Sequence, residues 1–381
     1  MEETEGTWQA SCRWPNLSTV KETVWEIQPH TEAKHAILKH YLGAWFPILA
    51  NGKEKRIVFV DGFAGPGIYK KGEPGSPIVA LDTARTHKLK LNAEIFFWFI
   101  EAREDRYESL VREIGPLKQS LPANFKIHHE CCKFDETMTK ALDEIEGMGS
   151  RLAPSFVFID PFGFSGTPMS VISRIMKNRK CEVLITFMVG AIDRFKSRPE
   201  LTEDFDELFG TQEWVGAFEI DDYGKRIEFL RTLYESQLHK SAGAKYVMSF
   251  DMQDTNRLLL YSLIHGTNSI KGLVEMKRAF WSIDATGNFR FCDRTQPGQT
   301  ILFGSDITPL IGRLIKEFGS SALSVDDLDF FVDTQTHYIQ KHLNQALKEM
   351  ENSDPPRISV EVQGTRKGQT YPRGKTQIRF L

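Results

Sequence analysis

Apolar runs alternate with helical patterns from residue 31 to about residue 265, and this alternation constrains the fold more than any other feature. The runs of strand length cover residues 56–60, 94–101, 125–129, 155–160 and 181–188. A strand that is followed by a helix usually returns to the same sheet in parallel orientation, so this order predicts a doubly wound α/β sheet. The run E-I-F-F-W-F-I-E at 94–101 is apolar enough to be buried on both faces.

Two further apolar runs, at residues 245–252 and 257–265, close this region. The segment between them is too short for a crossover helix, so they should form a hairpin in which one strand is antiparallel to its neighbours. We therefore predict a Rossmann-like, seven-stranded sheet with a terminal antiparallel hairpin. Such a sheet resembles the class I methyltransferase fold more than a dehydrogenase fold.

The C-terminal segment has a different pattern. Helical spacing begins near Thr308, the stretch S-V-D-D-L at 324–328 resembles a capping box, and a third helix is expected at about 336–350. The runs I-S-V-E-V and T-Q-I-R-F then flank a loop rich in glycine and basic residues. Three short helices and a hairpin are typical of a winged helix-turn-helix, so we predict an N-terminal extension (1–30), a sheet domain (31–303) and a winged-helix domain (304–381).

Composition narrows the class of protein. Hydrophobic residues make up 41% of the 381 residues and charged residues 26%, as in an ordinary soluble protein. The net charge of −3 provides no general attraction for nucleic acid, so such binding requires a local basic patch. The acidic N-terminus lacks the features of a signal peptide, and the five cysteines show no C-x-x-C spacing. We therefore expect a cytoplasmic protein without a metal site.

The glycine loop in I-V-F-V-D-G-F-A-G-P-G (57–67) fits neither of two common phosphate motifs. Gly62 and Gly67 have the glycine spacing of a P-loop, but Ile68 and Tyr69 stand where its lysine and hydroxyl belong. Gly65 and Gly67 match the first two glycines of the dinucleotide fingerprint, but Lys70 occupies the third position.

S-adenosylmethionine fits the loop better, because it carries no phosphate and needs an acid for its ammonium and another for its ribose. Asp61 and Glu101 end consecutive strands, where open α/β sheets bind ligands. A nucleotide and a turn without ligand remain open alternatives, and Glu101 alone could simply begin the next helix. The cofactor-binding candidates are Asp61, Gly62, Phe63, Ala64, Gly65, Gly67 and Glu101, with Cys132 and Asp135 as adenine contacts.

The stretch F-V-F-I-D-P-F-G-F-S-G (156–166) resembles the [DN]-P-P-[YF] motif of amino-methyltransferases, which holds an exocyclic amine and stacks on a base. Asp160 and Pro161 match, whereas Phe162 replaces the second proline, so either Phe162 or Phe164 would be the stacking ring. The catalytic candidates are Asp160, Pro161 and Phe162. The departure leaves the acceptor atom open, and a plain Asp-Pro turn is the structural alternative.

Basic residues of the C-terminal segment form the nucleic-acid candidates. Basic residues surround the predicted wing, and two polar residues lie one turn apart on the third helix. The candidates are Lys341, Asn344, Arg366, Lys367, Tyr371, Arg373 and Lys375. The wing would contact phosphates and the helix would enter a groove. The alternative is a dimerisation or protein-docking module.

Taken together, these motifs resemble the three-Cys-motif partner family, TcmP. The resemblance covers residues 30–381 and is carried by T-E-A-K-H-A-I-L-K-H-Y-L-G-A-W, V-D-G-F-A-G-P-G, G-E-P-G-S-P-I-V-A-L, D-P-F-G-F-S-G and L-F-G-T-Q-E-W. It implies a bacterial methyltransferase-like domain with a C-terminal winged helix, and a radical-SAM-like partner protein that carries the three cysteine motifs. We expect an S-adenosylmethionine-dependent methyltransferase that acts on nucleic acid. A non-catalytic adaptor, or an enzyme with a protein or small-molecule acceptor, remains an alternative.

Overall fold

A large, mostly parallel sheet forms the centre of the chain. The computed structural model describes residues 21–195, 197–295 and 306–381. The strands of the large sheet are β1 (Arg56–Asp61), β2 (Glu94–Ile100), β3 (Phe125–Glu130), β4 (Ser155–Ile159), β5 (Glu182–Phe187), β6 (Tyr246–Gln253), β7 (Leu259–Thr267) and β8 (Arg290–Cys292). Their spatial order is β3-β2-β1-β4-β5-β7-β6-β8.

The pairing confirms the predicted sheet and its hairpin. Strands β1 to β5 are parallel, whereas β7 is antiparallel to both β5 and β6. The order reverses between β1 and β4, which is the position where open α/β sheets bind ligands. The short strand β8 pairs with β6 and was not predicted, because three residues carry too little pattern to indicate a strand.

Helices cover both faces of this sheet. One face packs against α1 (Pro29–Ala50), α2 (Ser76–Arg85), α3 (Glu104–Lys118) and α9 (Ile270–Ile283). The other packs against α4 (Phe134–Gly147), α5 (Met169–Met176), α6 (Val189–Phe195), α7 (Thr202–Phe209) and α8 (Tyr223–Lys240). Alternation along β1 sends Phe59 into the first core and Val60 into the second, as expected for a strand buried on both faces.

The C-terminal unit, residues 306–381, has its own apolar core. It contains α10 (Thr308–Phe318), β9 (Ala322–Ser324), α11 (Val325–Gln335), α12 (Gln340–Asn352), β10 (Ile358–Val362) and β11 (Thr376–Phe380). The strands form a three-stranded sheet, and Ser324 with Asp327 makes the predicted capping box. Helix α12 begins later than predicted, and the predicted boundary at 303/304 lies outside the described residues.

Helix α9 joins the two parts of the molecule. The buried ammonium of Lys277 donates hydrogen bonds to the carbonyl oxygens of Val332, Asp333 and Tyr338. The indole N–H of Trp281 donates to the carbonyl of His337 at 2.8 Å. These bonds satisfy carbonyl groups around the end of α11 and fix the C-terminal unit to the sheet. Among the described helices, none is long and apolar enough to cross a membrane.

Candidate active site at the glycine loop

The loop between β1 and α2 folds back on itself before the helix begins. Gly65 and Gly67 have positive φ angles of 63° and 79°, which glycine adopts without strain. The N–H of Gly75 donates to the carbonyl of Gly67 at 2.8 Å, and a Cβ on Gly75 would lie 2.9 Å from that backbone. The S-P sequence at 76–77 predicts a cap at Ser76, but Ser76 is the first helical residue and Gly75 is the N-cap.

Asp61 ends β1 with its carboxyl group fully buried. Oδ1 accepts a hydrogen bond from the N–H of Phe63 at 3.3 Å, while Oδ2 has no partner in the described part of the chain. Burial raises the pKa of Asp61 to about 7; the Ser76 side chain opposes the shift, whereas the nearby carboxylates of Asp160 and Glu101 add to it. A buried acid with an unpaired oxygen is available to a cationic ligand.

Glu101 follows β2 and holds the glycine loop in place. Its Oε2 accepts from the N–H of Gly65 at 2.8 Å, and its Oε1 accepts from the N–H of Arg103 at 2.8 Å. Burial raises the pKa of this carboxyl, while the two backbone bonds act in the opposite direction. A Cβ added to Gly65 would meet no atom within 4 Å, so open space adjoins the backbone that Glu101 positions.

Asp160 lies just beyond β4, where it binds a lysine that the sequence analysis did not identify. The ammonium of Lys34 donates to Oδ1 and Oδ2 of Asp160 at 2.6 Å each. The two side chains are 7% and 20% exposed, so this is a largely buried ion pair. Pro161 is buried, and Phe162 is 45% exposed at the mouth of the site. Phe164 is buried and packs against Phe205 in the core, so Phe162 is the aromatic candidate of this motif that faces the site.

Residues 21–28, here called the strap, lie across the glycine loop. The ring of Trp25 contacts those of Tyr69 and Phe162, with centroids 5.6 and 5.4 Å away. The guanidinium of Arg106 lies 4.7 Å from the Trp25 ring and 4.5 Å from that of Phe162. The carbonyl of Trp25 also accepts from the N–H of Lys70 at 2.9 Å. These contacts attach the strap to the loop and to the predicted stacking ring.

The strap leaves little room beside the glycines. The cavity bounded by Trp25, Gly65, Tyr69, Asp160 and Phe162 has a volume of about 30 Å³. Pockets for drug-sized ligands measure roughly 300–1,000 Å³. The acidic side chains of the site therefore match the positive charge of S-adenosylmethionine. The cavity, however, is large enough for this ligand only after the strap moves.

The other predicted cofactor contacts divide into two groups. A Cβ on Gly62 would lie 2.4 Å from the ring of Phe134, which also packs against Phe63, so Gly62 is required for packing. Ala64 is buried and donates its N–H to the carbonyl of Ile100 at 2.9 Å. These three residues shape the loop beneath the cavity.

Asp135 and Cys132 both follow β3, and neither lines the glycine-loop cavity. Oδ1 of Asp135 is buried without a partner among the described residues, and a Cβ on Gly166 would lie 3.9 Å from it. Cys132 is exposed and lines a separate groove of about 860 Å³ with Trp98 and Glu130. Asp135 thus keeps a buried oxygen available to a ligand, whereas Cys132 faces the separate groove.

Two of the predicted wing arginines already bind carboxylates. Arg366 donates two hydrogen bonds to Glu351, which also accepts from the buried Tyr371 hydroxyl. Arg373 donates twice to Asp329 and once to Asn344 Oδ1. These contacts stabilise the segment between β10 and β11 against α11 and α12, so four of the predicted residues have structural partners.

The remaining three nucleic-acid candidates, Lys341, Lys367 and Lys375, are exposed lysines. Lys341 lies 5.8 Å from the ring of Trp281. The C-terminal unit contains as many acidic as basic residues. The basic surface is therefore smaller than the sequence suggested, because ion pairs between distant segments are not visible in a local pattern.

Lys34 and Trp25 are the site residues that sequence reasoning missed. Lys34 precedes Leu38, Tyr41 and Trp45 by four, seven and eleven positions, so it lies on the buried stripe of α1. A lysine at such a position was the available signal. Trp25 stands before the first predicted helix, and no local pattern indicated that it covers the loop.

No protein-family model matches the chain, and no curated protein matches its sequence. Solved structures resemble it weakly. The protein LPL1258 from Legionella pneumophila has a TM-score of 0.34 and 13% identity, covering 63% of this chain and 85% of its own.

Two of the other similar structures are O-methyltransferases. A putative enzyme from Klebsiella pneumoniae has a TM-score of 0.31 and 10% identity over 63% of this chain and 88% of its own. The O-methyltransferase from Bacillus cereus, in complex with SAH, has a TM-score of 0.32 and 12% identity over 64% and 83%. Resemblance at this level does not determine function.

Proposed function

We propose that this chain binds S-adenosylmethionine at the glycine loop and acts as a methyltransferase on nucleic acid. The observation that carries the proposal is that two buried acids, Asp61 and Glu101, lie beside backbone at Gly65 that adjoins open space. Asp61 offers an unpartnered oxygen for the ligand's ammonium, and Glu101 lies beside Gly65, where the ribose hydroxyls would approach. Asp61 ends β1 beside the topological switch point, and Glu101 follows the adjacent strand β2.

Each group has one task in this proposal. Asp61 binds the ammonium, Gly65 and Gly67 allow close backbone approach, and Glu101 orients the ribose. Asp135 offers its unpaired oxygen to the adenine. Asp160 and Phe162 position the acceptor, and the bound cofactor supplies an electrophilic methyl group. Because methyl transfer needs in-line alignment, positioning accounts for most of what the protein contributes.

The C-terminal unit is proposed to be a winged helix that contacts nucleic acid. Its order of elements, with three helices and a three-stranded sheet, supports the assignment. Lys367 and Lys375 would contact phosphates from the wing, and α12 would face a groove. The resemblance to the three-Cys-motif partner family suggests that a radical-SAM-like protein works with this chain.

A non-catalytic adaptor is the second candidate, and the strap favours it. With the strap across the glycine loop, the cavity of about 30 Å³ has no room for S-adenosylmethionine and an acceptor, as expected of a chain without turnover. An adaptor would dock the partner enzyme on nucleic acid through the C-terminal unit. Measured binding of S-adenosylmethionine without methyl transfer to any acceptor would favour this candidate.

Replacing Glu101 by glutamine tests the cofactor site. The amide retains the shape but loses the charge, and one of the two backbone N–H donors loses its acceptor. Losing a charge-assisted hydrogen bond costs about 1.5–3 kcal/mol, so calorimetry should show S-adenosylmethionine binding weakened by roughly 10- to 150-fold.

Glu130→Gln is the matched control for that measurement. Glu130 ends the neighbouring strand β3 and accepts from the side chains of Trp98 and His128 outside the cavity. Its variant should bind S-adenosylmethionine like the wild type. Equal affinity for all three proteins would refute the ribose role of Glu101.

Reversing the charge of Lys367 and Lys375 tests nucleic-acid binding by the wing. The double glutamate variant should bind duplex DNA and RNA more weakly, and the slope of log K against log salt should flatten by roughly 2, at about 0.9 per phosphate contact. Arg366 is unsuitable for reversal, because a glutamate there would face Glu351.

The control reverses Lys53 and Lys55, two exposed lysines just before β1. That variant has the same net charge as the wing variant and should retain the wild-type salt slope. If the wing variant binds nucleic acid normally but no longer retains the three-Cys-motif partner in a pull-down, the unit is a protein-docking module.

A further inference from the structure

The ion pair between Lys34 and Asp160 connects the first helix to the end of β4. Both Asp160 oxygens accept from the same ammonium at 2.6 Å, and only 7% of the Lys34 side chain is exposed. Burying an ion pair seldom adds net stability, since desolvation offsets the attraction, and apolar replacements are often at least as stable. Stability alone is therefore a weak explanation for two charges at this position.

The contacts of the Lys34 ammonium leave one of its N–H donors available to a ligand. Its Nζ lies 5.2 Å from the centre of the buried Tyr261 ring, a cation–π contact that holds it beside Asp160. In the described part of the chain its hydrogen bonds are the two to Asp160. An ammonium has three N–H donors, so one remains for a ligand. Asp160 itself lines the glycine-loop cavity, next to Gly65 and Phe162.

An exocyclic amine suits these surroundings poorly. Such an amine does not lose a proton before attack, so its nitrogen becomes positively charged during methyl transfer. That charge would develop beside the Lys34 ammonium, and like charges repel strongly in a buried site. The N–H groups of the amine would also compete with Lys34 for the Asp160 oxygens.

A hydroxyl suits the same surroundings well. The spare N–H of Lys34 can donate to the hydroxyl oxygen, and the cation stabilises the negative charge that develops as the proton leaves. Each Asp160 oxygen accepts one N–H and retains capacity for the hydroxyl hydrogen. Lysine and aspartate together thus provide a donor and an acceptor for one O–H group.

We propose that the acceptor is a hydroxyl group, in nucleic acid the ribose 2′-hydroxyl of RNA, and that Lys34 and Asp160 position it. This inference rests on the proposed function and names the acceptor for that site. In the transfer the O–C bond forms as the C–S bond breaks, the sulfur becomes a neutral thioether, and the hydroxyl proton passes to Asp160 and then to water. Lys34 remains an ammonium throughout.

The first experiment identifies the methylated atom. The full chain, with and without its three-Cys-motif partner, is incubated with tritiated S-adenosylmethionine and either total tRNA and rRNA or genomic DNA, and the products are digested to nucleosides. We expect label in 2′-O-methylated nucleosides. Label on a base nitrogen would overturn the hydroxyl inference and leave the proposed function intact. No label in any nucleic acid would overturn both.

Variants test the role of Lys34. Lys34→Met should reduce kcat by roughly 10²- to 10³-fold, the range for loss of one donor to developing negative charge, and change KM for S-adenosylmethionine little. Lys34→Arg keeps the charge and should retain 2′-O specificity at a reduced rate. Glu54→Gln is the control and should behave like the wild type. It removes an ion pair in which Nζ of Lys180 lies 2.6 Å from Oε1 of Glu54. Equal losses in Lys34→Met and Glu54→Gln would overturn the inference.

Binding provides a measurement that does not depend on turnover. Without S-adenosylmethionine, and in the Trp25→Ala background in which the strap no longer closes the cavity, the protein should bind a 20-nucleotide RNA more tightly than DNA of the same sequence, by about tenfold for one charge-assisted hydrogen bond. Lys34→Met should bring that ratio close to one. If Lys34→Met fails to fold, the double variant Lys34→Met with Asp160→Asn is measured in its place, because it removes both buried charges. An unchanged ratio in a folded variant would overturn the positioning role.

Discussion

Replacing Asp61 by asparagine should stabilise the ligand-free protein at pH 8 and abolish its binding of S-adenosylmethionine. The carboxyl is fully buried, and burial raises its pKa from 3.8 to about 7. Between those two pH values the folded protein holds a proton that the unfolded chain has lost. The free energy of unfolding therefore falls as pH rises through this window, by about 4 kcal/mol in total.

Asparagine removes that dependence because it does not titrate. Its amide is an unpaired buried polar group, which costs about 1–3 kcal/mol, so the net gain at pH 8 should be roughly 2 kcal/mol. Urea unfolding at pH 5, 6, 7 and 8 measures the free energy of unfolding. It should fall with rising pH in the wild type and should not show this fall in Asp61→Asn. Stability that declines alike in both proteins would mean that Asp61 does not carry the buried charge.

Asp105→Asn is the control of opposite sign. Hydrogen bonds from Arg103 lower the pKa of Asp105 to about 2, so its ionised form stabilises the folded protein above pH 4. Its removal should reduce stability between pH 5 and 8 and should not weaken S-adenosylmethionine binding, since it loosens the strap by weakening the bond from Thr23. Calorimetry on the same two variants checks the ligand role, and wild-type affinity in Asp61→Asn would exclude Asp61 as the ammonium partner.

Replacing Trp25 by alanine should increase the affinity for S-adenosylmethionine about tenfold or more. The Trp25 ring closes the cavity through two aromatic contacts and one cation–π contact. Contacts of these kinds contribute about 0.5–1.5 and 0.5–2 kcal/mol each, so opening the strap costs roughly 2–3 kcal/mol. A ligand that binds only the open form loses apparent affinity in proportion to the open fraction.

Thr23→Ala is the matched variant for the strap. Thr23 donates a hydrogen bond to Asp105 at 2.6 Å, so its loss loosens the strap and keeps the ring. Thr23→Ala should strengthen S-adenosylmethionine binding by a few-fold. The effect has the same direction as that of Trp25→Ala but is smaller. Weaker binding by Trp25→Ala, measured by calorimetry, would show that the ring contacts the ligand instead of excluding it.

Local pattern was sufficient for the sheet and for the acids at its edge. Alternating apolar runs predicted strands β1 to β7, because burial on both faces requires continuous apolar residues. Asp61 and Glu101 follow from the same pattern, since the carboxyl ends of parallel strands meet at one edge. The capping box at Ser324 was readable for a similar reason, because its two partners are three residues apart.

Contacts between distant segments were decided only by the tertiary structure. Lys34 and Asp160 are 126 positions apart, and Arg373 and Asp329 are 44 apart, so no local spacing pairs them. The first pair led us to propose a hydroxyl where the sequence left the acceptor atom open, and the second pairs a basic residue of the predicted wing with a carboxylate. Trp25 covers the glycine loop because packing brings the strap to it. Sequence periodicity determines which face of an element is buried, whereas the partner that each polar side chain meets depends on how the elements pack.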